Sequence, residues 1–404
     1  MVTELAKNVY WVGVVDWGLR HFHGFELSTH RGSTYNAYLV KDRKIAVVDT
    51  VWGPFVDQFI ENLREIVDPS TIDYVIANHA ETDHSGGLPA LMRLCPNATV
   101  VVSPRGKESI SGHYHPGAAG ASPGQWNFKV VKTGESISLG ETELVFVEAP
   151  MLHWPDSMFT YVKGRNLLLS NDAFGQHYAT SLRFNDQVDR TELYEEAVKY
   201  YANILTPFSD LVLKKIDEVL ALKLPVDMIC PSHGVIWRTD PLQIATSYQG
   251  WARQVPQKQA VLMYATMWEG TRRMAEAVGA GLTKAGIPFK LFNMATSDRN
   301  DVIKEVFLAR AILVGSPTVN RGPLATIMPV LEDLRGLRFK NKIGAAFGAY
   351  GWSGEAVGQL EEHLKASGIA LAAPGIKAGW QPSAQDLARC EALGTTIAGA
   401  IQKG

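Results

Sequence analysis

The feature that most constrains the fold is a regular alternation of short apolar runs and amphipathic stretches from residue 260 to residue 404. Five apolar runs alternate with five helical stretches, and strands joined through helices run parallel. The pattern therefore predicts an open parallel sheet with helices on both faces. The expected strands are Ala260–Tyr264, Phe289–Phe292, Ala311–Gly315, Ile343–Phe347 and Ile369–Ala372, and the expected helices are Thr271–Ala285, Asn300–Ala309, Ala325–Leu334, Glu355–Ala366 and Ala384–Gln402.

The first 250 residues have a different rhythm, with close-spaced strands followed by mixed strands and helices. Residues 1–250 thus contain two successive sets of mixed strands and helices, and two such sets predict an αββα sandwich. The polar segment around 253–259 contains Pro256 and predicts a domain at 1–253, a linker at 254–259 and a second domain at 260–404. The expected strands are Val9–Val15, Tyr35–Val40, Lys44–Asp49, Ile72–Ala77, Thr99–Ser103, Leu144–Glu148, Phe159–Val162, Leu167–Ser170 and Met228–Cys230, with helices at Pro54–Val67, Thr191–Ile204 and Asp210–Leu222.

Composition excludes several classes of protein. A net charge of −2 gives no electrostatic reason to expect nucleic acid or an anionic membrane as a partner. The apolar run Val9–Val15 is too short for a secretory signal, and no run of about 18 apolar residues could span a bilayer. Cys95, Cys230 and Cys390 are sparse and form no CxxC motif, which favours a reducing cytoplasm.

Metal-ligand side chains follow several of the predicted strands. Four of them lie within six residues, directly after the apolar strand Ile72–Ala77. Three more occur far apart, each just past a predicted strand and bounded by proline or glycine. Together they predict a metal centre. The candidates are His79, Glu81, Asp83 and His84, followed by His153, Asp172 and His233.

This pattern resembles the metallo-β-lactamase superfamily, whose loop usually reads HxHxDH. Here Glu81 replaces the second histidine and gives HxExDH. A carboxylate is a harder donor than imidazole and favours iron or manganese over zinc. HxExDH with the later His, Asp and His is similar to the flavodiiron proteins. The resemblance covers nearly the whole chain, because a flavodoxin-like half is expected to follow.

The resemblance implies two iron ions with separate ligand sets. His79, Glu81 and His153 would hold one iron, and Asp83, His84 and His233 would hold the other, with Asp172 bridging both. In this family water can replace the histidine that is equivalent to His84.

The resemblance also implies that His23 and Tyr200 line the substrate pocket, although helical spacing cannot separate Tyr200 from Tyr201. Asp49 could orient a ligand or cap the helix near Pro54. His113 and His115 look like a metal pair but lack a nearby carboxylate, and His177 is ambiguous.

Three loops of the second half are expected to bind FMN. Each follows a predicted strand, where ligands of open parallel sheets bind. The first loop lacks the lysine of a nucleoside-triphosphate loop, which favours a monophosphate held by amides and hydroxyls. The candidates are Thr266, Met267, Trp268, Glu269, Gly270 and Thr271; Ser316, Pro317, Thr318, Val319 and Asn320; and Ala349, Tyr350, Gly351, Trp352, Ser353 and Gly354.

The resemblance implies an oxidoreductase that reduces dioxygen to water, nitric oxide to nitrous oxide, or both. Electrons would come through FMN from rubredoxin or a similar carrier, in a head-to-tail homodimer or a dimer of dimers. Two other functions stay open from sequence alone: a metal-dependent hydrolase with an accessory flavin domain, and a redox sensor or electron carrier without turnover.

Overall fold

The computed structural model describes residues 2–117 and 126–403. By its contacts the chain divides into two compact units, Met1–Tyr200 with Asp210–Gln249, and Tyr201–Ser209 with Gly250–Gly404. The second unit thus takes in Tyr201–Ser209, which the sequence placed in the first domain. Its first strand begins at Gln257, inside the expected linker.

The amino-terminal part of the chain contains sixteen strands and seven α-helices in its described residues. The strands are β1 (Thr3–Ala6), β2 (Val9–Trp11), β3 (Val14–Asp16), β4 (His21–Phe22), β5 (Leu27–Ser28), β6 (Ser33–Tyr35), β7 (Tyr38–Lys41), β8 (Ile45–Val48), β9 (Tyr74–Ala77), β10 (Thr99–Val102), β11 (Asn127–Val130), β12 (Ser136–Ser138), β13 (Glu143–Glu148), β14 (Met158–Lys163), β15 (Leu167–Asn171) and β16 (Met228–Pro231). The helices are α1 (Val56–Arg64), α2 (Thr82–Ser85), α3 (Leu88–Leu94), α4 (Pro104–Tyr114), α5 (Arg190–Tyr200), α6 (Ser209–Ala221) and α7 (Leu242–Ala252).

Two sheets pack face to face in the first unit. One has the strand order β1-β2-β7-β8-β9-β10-β11, and the other has the order β12-β13-β14-β15-β16. Their inner faces share one core, with Val48 and Ile76 from the first sheet and Phe146 and Leu169 from the second. On the outer face of the second sheet, Leu168 lines a cavity together with residues of α6 and α7. The predicted αββα sandwich is confirmed.

The expected strand Val9–Val15 is wrong in one respect, because it is two strands that join different sheets. β2 pairs with β7 in the seven-stranded sheet, whereas β3 pairs with β6 in a separate ribbon. The chain bends at Gly13, where an added Cβ would lie 2.2 Å from the carbonyl oxygen of Tyr35. Glycine is therefore required at this bend.

The second unit contains a parallel sheet with helices between its strands. The order β18-β17-β19-β22-β23 is that of a flavodoxin-like sheet, and every pair in it is parallel, which confirms the prediction. The elements are β17 (Gln257–Tyr264), β18 (Phe289–Asn293), β19 (Ala309–Gly315), β20 (Thr318–Val319), β21 (Gly322–Pro323), β22 (Ile343–Tyr350), β23 (Ala370–Leu371) and β24 (Ile376–Gly379), with α8 (Gly270–Lys284), α9 (Arg299–Leu308), α10 (Met328–Leu337), α11 (Glu355–Ala366) and α12 (Ala384–Lys403).

The last strand differs from the expected Ile369–Ala372. Two short strands, β23 and β24, pair with the beginning and the end of β22. Pro374 and Gly375 lie between them. Proline has no N–H to donate to the ladder, so the pairing stops and resumes after it. The strand position beside β22 therefore ends at Gly379, the last residue of β24.

Helices α8 and α12 approach closely at two glycines. An added Cβ at Gly281 would lie 2.0 Å from the carbonyl oxygen of Glu391, and one at Gly394 would lie 2.1 Å from the carbonyl oxygen of Val278. The contacted atoms are backbone, so they cannot move aside without shifting a helix.

We expect Gly394→Ala to destabilise the second unit by about 1–3 kcal/mol, because the extra methyl overpacks the helix contact. Gly399→Ala is the matched control in the same helix, since an added Cβ there meets nothing within 4 Å. The control should be neutral or stabilising by up to about 1 kcal/mol. Urea denaturation followed by circular dichroism measures both, and equal midpoints for the two variants would contradict the prediction.

Candidate functional site

All seven side chains predicted as metal ligands come together at strand ends of the first unit. They come from both sheets, because β9 belongs to the first sheet and β13, β15 and β16 belong to the second. The positions are His79 and Glu81 after β9, Asp83 and His84 in α2, His153 after β13, Asp172 after β15 and His233 after β16.

The seven residues form two groups, within each of which the ligand atoms lie within 4.8 Å of one another. Atoms that bind one cation at about 2.1 Å are separated by about 3 to 4 Å, so each group has the dimensions of a metal site. The division matches the two ligand sets implied by the family resemblance. The groups are His79, Glu81, His153 and Asp172, and Asp83, His84 and His233.

The carboxylate of Asp172 faces both groups. Its Oδ2 lies 3.3 Å from His153 Nε2 and 3.6 Å from His79 Nε2. Its Oδ1 lies 2.9 Å from His84 Nε2 and 3.6 Å from His233 Nε2. One oxygen is thus directed to each set of imidazoles, which is the arrangement a bridging carboxylate requires.

Several of these buried atoms lack hydrogen-bond partners among the described residues. They include both carboxylate oxygens of Asp172, Asp83 Oδ1 and His84 Nε2. His84 Nε2 lies only 3.0 Å from Asp83 Oδ2, yet the two atoms are not aligned for a hydrogen bond. Buried polar atoms without partners are costly unless a cation satisfies them. Three carboxylates and four imidazoles suit iron or manganese, so the residues fit a diiron centre.

The cluster favours negatively charged carboxylates. Burial alone would raise the pKa of Asp172, but the neighbouring His84 and His153 outweigh that effect and hold the pKa well below its usual range. Burial would likewise lower the pKa of His79, but its contacts with Asp156 and Glu81 raise it to about 10. The carboxylates are therefore ready to bind cations at neutral pH.

Two ligand imidazoles are oriented through their Nδ1 atoms. His79 Nδ1 lies 3.1 Å from Asp156 Oδ2, and His233 Nδ1 lies 2.6 Å from the carbonyl oxygen of Thr34. A proton on Nδ1 leaves Nε2 free to bind a metal. Sequence reasoning missed Asp156, although it follows His153 by only three residues in the same turn.

Asp49 joins two of the ligand loops. Its carboxylate accepts hydrogen bonds from the backbone N–H of Asn78 (2.8 Å), the side chain of Asn78 (3.2 Å) and the side chain of Asn171 (3.4 Å). Asn78 precedes His79, and Asn171 precedes Asp172. The capping alternative is wrong, because the 3₁₀ turn at Gly53–Phe55 has Trp52 as its N-cap. Burial raises the pKa of Asp49 to about 6.

The structure separates Tyr200 from Tyr201. The ring of Tyr200 lies 5.1 Å from that of His177 and 6.3 Å from that of His233, beside the ligand cluster. Tyr201 instead packs on Trp251, with ring centres 5.5 Å apart. Tyr200 is therefore the tyrosine that faces the cluster.

Other histidines flagged in the sequence have distinct positions. His23 Nε2 lies 2.9 Å from Glu81 Oε1, at the partly exposed side of the cluster. His177 is buried, and its Nδ1 lies 2.9 Å from Ser33 Oγ. His113 stacks on Trp154 at 6.5 Å, and His115 ends α4 in a left-handed conformation.

The first loop of the second unit leads into the amino terminus of the 15-residue helix α8. Thr266 Oγ1 is buried and has no hydrogen-bond partner among the described residues. Thr271 Oγ1 accepts a hydrogen bond from Ala349 N at 3.4 Å, which links this loop to the one after β22. A helix amino terminus with an unsatisfied buried hydroxyl fits a phosphate group. Met267 and Trp268 are exposed, and Glu269 pairs with Arg272.

The second and third loops border a polar cavity of about 250 Å³. Ser316 Oγ accepts a hydrogen bond from Leu324 N, and Thr318 Oγ1 accepts one from Ala356 N. The first bond closes the second loop on itself, and the second bond holds the loop against the start of α11. The predicted residues on the cavity wall are Thr318, Asn320, Gly351, Trp352 and Ser353. Of the others, Pro317 and Val319 flank Thr318 in the chain, Tyr350 ends β22, and Gly354 precedes α11.

Sequence reasoning missed a fourth loop. Trp380 follows β24, is 71% exposed and donates its backbone N–H to the carbonyl oxygen of Tyr350 at 2.6 Å. Its ring lies beside Gly351, where an added Cβ would be 3.4 Å away. An aromatic residue directly after a strand could have indicated this loop. The last strand was expected at Ile369–Ala372, however, so Trp380 did not follow a predicted strand.

Two family models match the chain in succession. One, described as ODP family beta lactamase, matches residues 34–234, and the other, described as flavodoxin, matches residues 262–394. The chain is 53% identical over 398 residues to a nitric oxide reductase of Moorella thermoacetica, covering 98% of each chain. It is 46% identical over 397 residues to an anaerobic nitric oxide reductase flavorubredoxin of Salmonella arizonae, covering 98% of this chain and 81% of that one.

Solved structures agree with these matches. The rubredoxin oxygen:oxidoreductase of Desulfovibrio gigas superposes with a TM-score of 0.95 at 36% identity, covering 100% of this chain and 99% of that one. The flavodiiron protein of Giardia intestinalis superposes with a TM-score of 0.91 at 30% identity, covering 100% and 97%. Because relatives at these identities cover nearly the whole chain, and both family models occur in the expected order, the chain belongs to the flavodiiron protein family.

Proposed function

We propose that this flavodiiron oxidoreductase reduces dioxygen to water, nitric oxide to nitrous oxide, or both, with electrons that reach its diiron centre through FMN. The observation that carries the proposal is Asp172, whose two oxygens face two sets of imidazoles in a chain that also has a flavodoxin-like unit. A hydrolase would have no use for the flavin. The relatives named as nitric oxide reductase and as rubredoxin oxygen:oxidoreductase support both gases as substrates.

The metal ligands follow from the two groups. His79, Glu81 and His153 would hold one iron, Asp83, His84 and His233 would hold the other, and Asp172 would bridge them. His84 is included because its Nε2 lies 2.9 Å from Asp172 Oδ1. When bound, the iron pair and reduced FMN together supply the four electrons that the reduction of dioxygen to water requires.

Tyr200 and His23 would serve the substrate pocket. Reduction of either gas consumes protons, and a phenol is a proton donor that stays protonated at neutral pH. The Tyr200 ring packs beside His177 and His233, so Tyr200 would donate its proton from the edge of the ligand cluster. His23 contacts Glu81 at 2.9 Å and would hold that ligand in place from the open side.

The flavin assignment places the phosphate at the first loop and the ring between the second and third loops. Thr266, Thr271 and the amino terminus of α8 would bind the phosphate, since they offer a buried hydroxyl, a second hydroxyl and free backbone N–H groups. The cavity beside Asn320 and Trp352 would receive the ring system.

The protein would act as a head-to-tail homodimer or a dimer of dimers, in which the FMN of one chain faces the iron pair of another. Large aromatic side chains are exposed in both regions that would meet: Trp268 and Trp352 in the flavin loops, and Trp17 and Phe25 in the chain segment that contains His23. Contiguous exposed apolar surface is typical of association sites, and these side chains would contribute to it. Sedimentation showing only monomer at assay concentrations would contradict this assembly.

Rubredoxin or a similar small carrier is the proposed electron donor, as the name of the Desulfovibrio relative indicates for that protein.

None of the helices in residues 2–117 and 126–403 is long and apolar enough to cross a bilayer. We place the protein in the cytoplasm, because its three cysteines are buried free thiols of the kind a reducing compartment preserves.

The decisive experiment measures cofactors and gas consumption together. Protein grown with ample iron should contain two irons and one FMN per chain, and the reduced protein should consume dioxygen or nitric oxide in anaerobic stopped-flow mixing. A lone zinc without flavin would favour the hydrolase, and intact cofactors without gas uptake would favour a sensor or electron carrier.

Asp172→Asn should remove at least half of the bound iron and lower gas reduction by about a hundredfold or more, because a neutral amide cannot offset the charge shared by two cations. Asp57→Asn is the matched control, since Asp57 is exposed in α1. Iron analysis and oxygen-electrode rates check both variants. Full iron content and turnover in Asp172→Asn would refute the bridging assignment.

Tyr200→Phe should lower the turnover number by about tenfold to a hundredfold at unchanged iron content, because it removes only a proton donor. The adjacent Tyr201→Phe is the control, since Tyr201 packs on Trp251 away from the ligand cluster. Steady-state rates with both gases give the comparison. Equal rates in the two variants would show that the Tyr200 hydroxyl has no such role.

A further inference from the structure

Two oppositely charged side chains enter the polar cavity between the second and third flavin loops. Arg321 comes from the loop after β20, and Glu355 is the first residue of α11. They do not form an ion pair with each other in the described residues 126–403. Both charges are therefore available to a molecule in the cavity.

Glu355 is the more informative of the two residues. Its Oε2 is buried and lacks a hydrogen-bond partner among the residues that the structure describes. An acidic residue in the first turn of a helix is favoured by the helix dipole, which explains the sign of the charge. The dipole does not supply a donor to that oxygen, and a buried carboxylate oxygen without a partner is costly.

Two hydrogen bonds fix the backbone segments that carry these side chains. Ala356 N donates to Thr318 Oγ1 at 3.2 Å, and Gln359 Nε2 donates to the carbonyl oxygen of Arg321 at 2.8 Å. The second loop is thus fastened to α11 at two points. The backbone positions of Arg321, in the loop, and Glu355, in the helix, are consequently fixed relative to each other.

We propose that Glu355 and Arg321 are positioning residues for FMN that also set its reduction potential in opposite directions. This inference rests on the assignment of FMN to these loops. FMN offers donors at the N–H of its pyrimidine ring and at its ribityl hydroxyls, and Glu355 accepts a hydrogen bond from one of them. Arg321 donates to a ring carbonyl or ring nitrogen. Reduced FMN carries negative charge near these atoms, so Glu355 disfavours it and Arg321 favours it.

The test compares three variants for FMN affinity and midpoint potential. Glu355→Ala should weaken the binding of oxidised FMN by about tenfold or more, because a charge-assisted hydrogen bond is lost. Glu355→Gln keeps an acceptor and should weaken it less than Glu355→Ala does. Glu355→Gln should raise the midpoint potential and Arg321→Gln should lower it, each by about 30 mV for every tenfold change in the ratio of reduced to oxidised affinity.

Glu362→Gln is the matched control, because Glu362 is exposed on the same helix. It should change neither the FMN affinity, which fluorescence titration measures, nor the midpoint potential, which anaerobic spectroelectrochemistry measures. Wild-type FMN affinity in Glu355→Ala, or shifts of the same sign in Glu355→Gln and Arg321→Gln, would overturn the inference. A wild-type protein that binds no FMN would overturn the flavin assignment together with it, so the two failures are distinguishable.

Discussion

The contact of the Asp172 carboxylate with imidazoles on two sides is the interaction around which the candidate metal centre is arranged. Its two oxygens lie near imidazoles that come from loops of both sheets. Four imidazoles and three carboxylates meet at one largely buried place, and a cation would offset the cost of burying the carboxylate charges. The two-sheet frame and the tie made by Asp49 hold these groups together.

The second unit also places its candidate ligand-binding groups at the ends of strands. The residues of the three flavin loops follow the carboxyl ends of strands, where backbone N–H groups and short side chains can approach a ligand. Thr266 and Glu355 each leave a buried oxygen unsatisfied there. A flavin phosphate and a flavin donor group would satisfy them. In both units, unpaired polar atoms occur among the residues proposed to hold a cofactor.

The fold class and the residues that meet in the candidate metal site were predictable because their signals are local. HxExDH follows an apolar strand directly, and alternating strands and helices permit few sheet topologies. Asp156 was missed because its partner His79 lies 77 residues away in the chain. Trp380 was missed because a proline shifted the true strand end to Gly379, and Arg321 and Glu355 flank predicted loops without a motif of their own.

The sequence by itself determined the two fold types, their order, the donor types at the metal centre and the three strand-end loops, because each depends on neighbouring residues and on periodicity. Only the tertiary structure decided that Asp172 faces both ligand groups, that Asp49 joins two loops and that Tyr200 faces the cluster. Consecutive helical residues point about 100° apart, so either tyrosine could have faced inward until packing chose one. Contacts between residues distant in the chain exist only once the sheets have assembled.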